Sequence, residues 1–361
     1  MVEGNKIVIT GGGTGGHVFP AIAIAENLKR RGFGITYIGS ARGFEAKVVP
    51  QKGFEFLSVD SGALKNQGAL KKIRSLWHLL KGLLQAIRDL RNLKPVAVVG
   101  VGGYVSVPVV LAAFLMRIPI YLQEQNASVG LANRFLGHLA RMVFLGFPQA
   151  ATSFPKGKSI LSGNPLRDEF TRPVAAYRTS PKRLLVLGGS QGAKAINQVM
   201  VDCLPELKSI FPDLFILHQT GIVDQPEVER MYQEKYGDHF QVVAFVDQVC
   251  REYDQASLVV ARAGALTVSE LIQRQRPALF VPYPRRGQND QTANAYYLET
   301  VGVAQVVEQG DDFKNRFWET LLKCLDPESL NQMASKYSTL QGSQGTDTIG
   351  HHIETDLRRF S

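Results

Sequence analysis

The sequence predicts an α/β protein of two doubly wound domains, similar in size, facing each other across a cleft. Three observations carry that expectation. Short β-rich apolar runs alternate with helical patterns or glycine turns along the chain, as βα units on a parallel sheet require. The alternation lapses once, from Gly163 to Lys182, where prolines stand at 165, 173 and 181, and restarts with the strong apolar run Arg183–Leu187. The 361 residues exceed what one hydrophobic core serves. A content of 45% hydrophobic and 20% charged residues is that of a globular chain, neither disordered nor fibrous.

In the first half, strands are expected at Lys6–Thr10, Gly34–Gly39, Phe54–Val59, Val96–Val99, Ile118–Leu122 and Met142–Leu145. Runs this short and this apolar suit strands covered on both faces. Pro95 to Met116 is uncharged over 22 residues, long enough to span a bilayer. Gly100, Gly102, Gly103, Ser106 and Pro108 interrupt it, so it reads as a buried strand, a glycine loop and a helix opening near Pro108, where proline is tolerated. The second half repeats the scheme, with strands near Arg183–Leu187, Leu214–His218, Gln241–Phe245, Leu258–Ala261, Pro277–Val281 and Ala304–Val307. The domains are drawn as residues 1–164 and 165–345. Cys203, Cys250 and Cys324 are too scattered for a disulfide framework or a zinc site. The polar start, Met1 to Lys6, lacks the pattern of a signal peptide, which suggests a cytoplasmic protein.

Three places show a strand, clustered glycines and then a helix: Gly11–His17, Gly100–Tyr104 and Gly188–Ala193. Glycine lets the backbone approach a ligand, and N–H groups at a helix start point at an anion. A purely steric need for glycine in tight turns explains any one of them equally well. Gly11, Gly13 and Gly16 also satisfy G-x-G-x-x-G, which raises a nicotinamide dehydrogenase. That reading needs an acid ending the second strand. The strand ends in Gly39, Ser40, Ala41 and Arg42, and the nearest acid, Glu45, lies beyond the turn in a helical pattern. Gly157, Lys158 and Ser159 fail as a P-loop because position 152 is Thr.

Six segments together resemble one family: GGGTGGH from Gly11, GGYVS from Gly102, QEQN from Gln123, GNPLR from Gly163, GGSQGA from Gly188 and RAGALTVSE from Arg262. They run over almost the whole chain and are similar to the MurG family of N-acetylglucosaminyltransferases, which convert lipid I to lipid II in peptidoglycan synthesis. The resemblance implies two Rossmann-like domains in the GT-B arrangement, with UDP-N-acetylglucosamine held mainly by the C-terminal domain and the lipid acceptor by the N-terminal one. It also implies a last helix, about Thr346 to Arg359, that crosses back onto the first domain. Carried over by position, the donor set is Thr14, Gly15, Gly16, Asn126, Arg167, Ser190, Val246, Ala265, Leu266, Thr267, Val268, Ser269, Glu270 and Gln291. Gly13, Gly102, Gly103 and Tyr104 fall to the acceptor diphosphate.

The chemistry of these residues suits the task. Glu270 could accept both ribose hydroxyls, or be a plain helix-surface acid, and Arg167 with Ser190 could bond the diphosphate. Val246 stands where the family has an apolar residue beside the uracil. Where the family often has His before the glutamine, this chain has Asp290. An attacking hydroxyl must lose a proton, and His17 at the end of the first loop has the pKa range for it. A helix cap or an acceptor-phosphate contact is the other reading of His17, with Glu124 as the alternative base. The glycine loop of the second domain should hold the departing diphosphate. With no Asp-x-Asp pair in the sequence, neither metal nor cofactor is expected. UDP-N-acetylglucosamine 2-epimerase, a soluble isomerase, is the nearest alternative activity.

The net charge of +9 asks for an anionic partner. Between Gly62 and Lys94, eight basic residues (Lys65, Lys71, Lys72, Arg74, Lys81, Arg88, Arg91 and Lys94) oppose one acid, Asp89. Leu70, Ile73, Trp77, Leu80, Leu84 and Ile87 recur there at helical spacing. Such a helix suits an anionic bilayer surface, with Ile73, Trp77, Leu80 and Leu84 as the membrane contacts. The same spacing also fits an ordinary packing helix with a solvated basic rim. No nucleic-acid motif accompanies the charge, and the lipid-linked acceptor that the resemblance implies makes the cytoplasmic face of the plasma membrane the expected partner.

Overall fold

The computed structural model describes residues 5–61, 69–179, 182–189, 192–284, 290–340, 342 and 344–359, the segment 69–76 as backbone only. Two compact units emerge, Met1–Asp168 with Ser343–Ser361, and Glu169–Gly342. Each is built on a wholly parallel sheet, so the doubly wound α/β class expected from the sequence is what the chain adopts.

The first unit runs β1 (Lys6–Thr10), α1 (Gly15–Arg30), β2 (Gly34–Gly39), α2 (Phe44–Gln51), β3 (Glu55–Ser58), α3 (Ala69–Leu93), β4 (Ala97–Gly100), α4 (Ser106–Leu115), β5 (Ile120–Glu124), α5 (Leu131–Leu136), β6 (Met142–Leu145) and β7 (Ser159–Leu161). Its sheet has the order β3-β2-β1-β4-β5-β6-β7. Ile7, Val8 and Ile9 of β1 are all 0% exposed, which is why β1 carries no polar alternation. The strand β7 was not expected: three partly exposed residues at a sheet edge make no apolar run. The uncharged 22-residue stretch is β4, a glycine loop and α4, with Pro108 in the first turn of the helix. Among the described residues no helix is long and apolar enough to cross a membrane.

The second unit runs β8 (Arg183–Leu187), α6 (Lys194–Ile210), β9 (Phe215–Gln219), α7 (Gln225–Lys235), β10 (Phe240–Val243), α8 (Val249–Gln255), β11 (Leu258–Ala261), α9 (Ala265–Arg274), β12 (Ala278–Phe280), α10 (Asp290–Val301), β13 (Ala304–Val306), α11 (Phe313–Leu325) and α12 (Pro327–Ser335). The strand order is β10-β9-β8-β11-β12-β13. β10 ends two residues earlier than expected, leaving Phe245 and Val246 in the loop that follows. The patternless stretch before β8 is pinned by two fully buried arginines. Arg274 donates to the carbonyls of Arg172 and Pro173 and to Asp254, and Arg276 donates to the carbonyl of Ala175. Buried guanidinium groups persist only when so paired, and here they replace the backbone partners that an irregular segment lacks.

Helix α13 (Gly345–Arg358) belongs to the first unit. Ile349 and Ile353 enter the same core as Val18, Ile22 and Leu28 of α1. Arg31 pairs with Glu354 at 2.8 Å, Asn27 donates to Asp347 at 2.7 Å, and Arg141 pairs with Asp356 at 2.6 Å. Gly350 allows the close approach, because a Cβ there would lie 1.9 Å from Asn27 Oδ1.

Candidate active site

In both sheets the winding reverses beside the first strand of the unit, between β1 and β4 and between β8 and β11. Loops at the carboxyl ends of the two strands flanking such a point diverge and leave a crevice. All three glycine loops read from the sequence lie there.

In the first unit, Gly12 N donates to the Gly102 carbonyl at 3.3 Å, which ties the first loop to the second. A Cβ on Gly103 would lie 2.3 Å from Gly12 O, and one on Gly102 3.1 Å from the His17 ring. Both glycines have positive φ, +94° and +83° for Gly102 and Gly103, so a side chain would be strained at either and at Gly103 would also strike the Gly12 carbonyl. Tyr104 is half-exposed beside them. Glu45 on α2 is fully buried and folds back beneath the first loop, accepting from Gly13 N at 3.0 Å and Ser40 N at 2.9 Å. It fills the space where a Cβ on Gly12, Gly39 or Gly43 would stand. The acid that a dinucleotide site turns toward a ribose is spent here on the loop itself. The Gly13 N–H, in the set expected at the acceptor diphosphate, is bonded to Glu45. What the loop offers an anion is the start of α1 at Thr14, Gly15 and Gly16, where the Thr14 side chain makes no capping bond.

His17 in the first turn of α1 is half-buried, and its Nδ1 lies 3.0 Å from Gln125 Oε1. Gln123, Glu124 and Gln125 at the end of β5 are all 1% exposed or less. Glu124 accepts from Asn126 N at 3.0 Å, Gly130 N at 3.2 Å, Asn133 Nδ2 at 3.0 Å and Asn126 Nδ2 at 3.3 Å. Burial raises its pKa against the opposing pull of these donors and of His17. With both oxygens engaged and the residue 1% exposed, Glu124 holds the turn that carries Asn126. Arg167 is exposed at the end of the first unit.

In the second unit, Gly189 and Gly192 adopt φ of +77° and +75°, and a Cβ on Gly192 would lie 2.3 Å from the Thr220 carbonyl. The N-termini of α6 and α9 both open at this switch point. A cavity of about 790 Å³ is lined by Gly188, Gly189, Lys194, Arg262, Tyr283 and Gln291, among others. Arg262 is braced by the carbonyls of Val281 and Pro282 and lies over the Tyr283 ring. Gln291 accepts from Tyr283 N at 2.9 Å. Along α9, Ala265, Val268 and Ser269 are buried in the domain, while Leu266, Thr267 and Glu270 are partly accessible. Glu270 accepts from the Tyr253 hydroxyl at 3.1 Å. Val246 is buried, and it is the neighbouring Phe245 that is 59% exposed. Ser190 lies outside the described residues, as does the segment 285–289. Lys194 and Arg262, the two cations that line the cavity among the described residues, were missed as site residues, although one opens the helix after the glycine loop and the other opens the RAGA segment. Among the described residues, no group of three His, Cys, Asp or Glu could hold a metal ion.

Two parallel α/β units with glycine loops and helix N-termini at their switch points have the form of a nucleotide-sugar glycosyltransferase. The glycosyltransferase family 28 N-terminal domain matches residues 7–145, and the C-terminal domain of the same family matches residues 183–349. A UDP-N-acetylglucosamine–N-acetylmuramyl-(pentapeptide) pyrophosphoryl-undecaprenol N-acetylglucosamine transferase of Anaeromyxobacter dehalogenans strain 2CP-1 is 40% identical over 98% of this chain and 94% of its own. The crystal structure of Acinetobacter baumannii MurG superposes with a TM-score of 0.80 at 29% identity, over 97% of this chain and 99% of that one. The chain belongs to the MurG family of N-acetylglucosamine transferases. A UDP-N-acetylglucosamine 2-epimerase of Neisseria meningitidis, covering 98% of this chain and 100% of its own, shares the fold at a TM-score of 0.64 with only 14% identity.

Proposed function

We propose that the chain transfers N-acetylglucosamine from UDP-N-acetylglucosamine to the 4-hydroxyl of the muramyl sugar of lipid I, forming the β-1,4 link of lipid II. The observation that carries this is the second unit's cavity, where the glycine loop, the N-terminus of α6, Lys194 and Arg262 meet. That is the electrostatics a departing diphosphate needs. The acceptor oxygen attacks the anomeric carbon, the bond from that carbon to UDP breaks with its electron pair on the diphosphate, and His17 takes the hydroxyl proton. Gly102, Gly103 and Tyr104, beside the start of α1, take the acceptor diphosphate, while Thr14, Gly15 and Gly16 at that start belong with the donor set. Transfer of labelled sugar from UDP-N-acetylglucosamine to lipid I in detergent tests the assignment. Turnover of the nucleotide sugar without an acceptor would point instead to an epimerase.

Donor recognition rests on Leu266, Thr267 and Glu270 at the start of α9, with Arg167, Asn126 and Gln291. Glu270→Ala is expected to raise KM for UDP-N-acetylglucosamine ten- to hundred-fold, since a hydrogen bond to a charged group contributes about 1.5–3 kcal/mol. An unchanged donor KM removes Glu270 from the ribose.

Helix α3 supports a peripheral place on the cytoplasmic face of the plasma membrane. Ala86 and Leu90 are buried and Leu83 and Ile87 pack against the core, whereas Trp77 is 66% and Leu84 69% exposed, with Leu80 between them also outward. The side chain of Ile73 lies outside the described residues. One helix therefore serves both readings of its spacing: its C-terminal half packs and its middle presents an apolar face with Lys81 beside it. Phe114 and Leu115 at the end of the neighbouring α4 are exposed as well. Replacing Trp77, Leu80 and Leu84 together with Ser should weaken binding to anionic liposomes at least about tenfold, because each buried apolar side chain contributes roughly 1.5–3 kcal/mol. Turnover of a soluble acceptor should stay near that of the parent chain. A collapse in thermal stability would mean that these residues pack inward.

A further inference from the structure

Which ring nitrogen of His17 carries the proton follows from the amide groups behind it. Nδ1 lies 3.0 Å from Gln125 Oε1, and the sense of that bond depends on which end of the Gln125 amide faces the ring. The other end, Nε2, is 2.8 Å from the Val101 carbonyl and 3.3 Å from the Gln123 carbonyl. Main-chain carbonyls only accept. The group facing them is therefore the NH2, and the oxygen is left to face His17. Two further amides, oriented by a separate contact, agree with this. Asn164 Nδ2 donates to the Gln125 carbonyl at 2.9 Å, so Asn164 Oδ1 is the atom that accepts from Gln123 Nε2 at 2.9 Å. Gln123 then presents its Oε1 to the Gln125 NH2. All three amides are 1% exposed or less, where an amide turned the wrong way would set carbonyl against carbonyl at a cost no water could relieve.

We propose that Gln125 is the positioning residue for His17: by accepting from Nδ1–H it holds the neutral imidazole in the tautomer whose Nε2 lone pair is free to take the acceptor's proton. The proposal rests on the reading of His17 as the base. Gln125 suits this role better than an acid would. A neutral acceptor selects the tautomer without favouring the imidazolium, which would leave the base already protonated at cellular pH. Among the described residues, the charged group that acts on the ring is Glu124 at the end of β5, which is engaged by its own donors and not hydrogen-bonded to His17.

Long-range proton–nitrogen spectra of the full chain, with the His17 signals identified by their loss in His17→Ala, read the tautomer directly. Above the histidine titration range, Nδ1 is expected to be protonated and Nε2 bare; the reverse pattern overturns the proposal. In Gln125→Glu, a carboxylate against Nδ1–H stabilises the imidazolium, so the acidic limb of the kcat/KM profile should move up by about one pH unit or more while the donor KM holds. A limb that stays in place also overturns it, since a merely structural role for Gln125 would change the amplitude and not the limb. If the spectra show the Nδ1–H form but His17→Ala keeps its turnover, the tautomer stands and the assignment of the base falls.

Discussion

His17→Ala is expected to lower turnover by about 10²- to 10⁴-fold, the range a positioned general base contributes, with UDP-N-acetylglucosamine binding and thermal stability close to those of the parent chain. The ring is half-buried, lies against Gly102 and makes its hydrogen bond to Gln125, so its removal opens no large cavity in a core. Donor binding should persist because the second unit's cavity, with Lys194 and Arg262, is lined without it. Steady-state assays with lipid I, alongside equilibrium binding of the donor, separate the two quantities. A fall in turnover of less than about tenfold would show that His17 is not the base. Glu124→Gln does not offer a simple second candidate, because that side chain accepts four hydrogen bonds at the turn after β5 and its replacement should be read first as a loss of stability.

Acid should destabilise the second domain through His218. This residue on β9 is fully buried, with Nδ1 2.9 Å from the Tyr232 hydroxyl and Nε2 3.2 Å from Asn197 Oδ1. The Asn197 NH2 is committed to the Thr220 carbonyl and to Asp224, so its oxygen faces the ring and Nε2 carries the proton of the neutral form. Burial lowers the His218 pKa from 6.5 to about 3. Between those values the unfolded chain binds a proton that the folded chain refuses, so stability is fully present above pH 6.5 and is lost as pH falls toward 3. The slope is about 1.4 kcal/mol per pH unit, which gives roughly 2 kcal/mol between pH 6.5 and 5. Denaturant unfolding at both pH values should show that loss in the parent chain beyond any seen in His218→Gln. Equal losses in the two proteins would mean that His218 is protonated in the fold. Donor affinity should follow the same network, because the Thr220 carbonyl that Asn197 holds is the surface on which Gly192 of the glycine loop rests.

Much of this protein is written locally. A run such as Lys6–Thr10 carries enough β-branched apolar residues to be a strand covered on both faces, and its observed bounds match the expected ones. Clustered glycines announce loops that need positive φ, as Gly102, Gly103, Gly189 and Gly192 show, because that requirement belongs to each residue's own backbone. The basic amphipathic pattern of α3 is equally local. Chain neighbours alone could not assign what depends on distant partners. Glu45 read as an acid in a helical pattern, yet strand order sets β2 beside β1 and turns its carboxylate under Gly13, 32 positions away. His17 was visible as a candidate base, but Gln125, 108 positions on, is brought to it only when β4 and β5 are laid beside β1. Along α3, spacing could not separate the packing residues Ala86 and Leu90 from the outward Trp77 and Leu84 until α4 covered one side. Sequence periodicity determined which segments become strands and helices and where their backbone must bend. The order of the parallel strands, a product of long-range packing, decided which polar side chains meet and which are left facing the solvent.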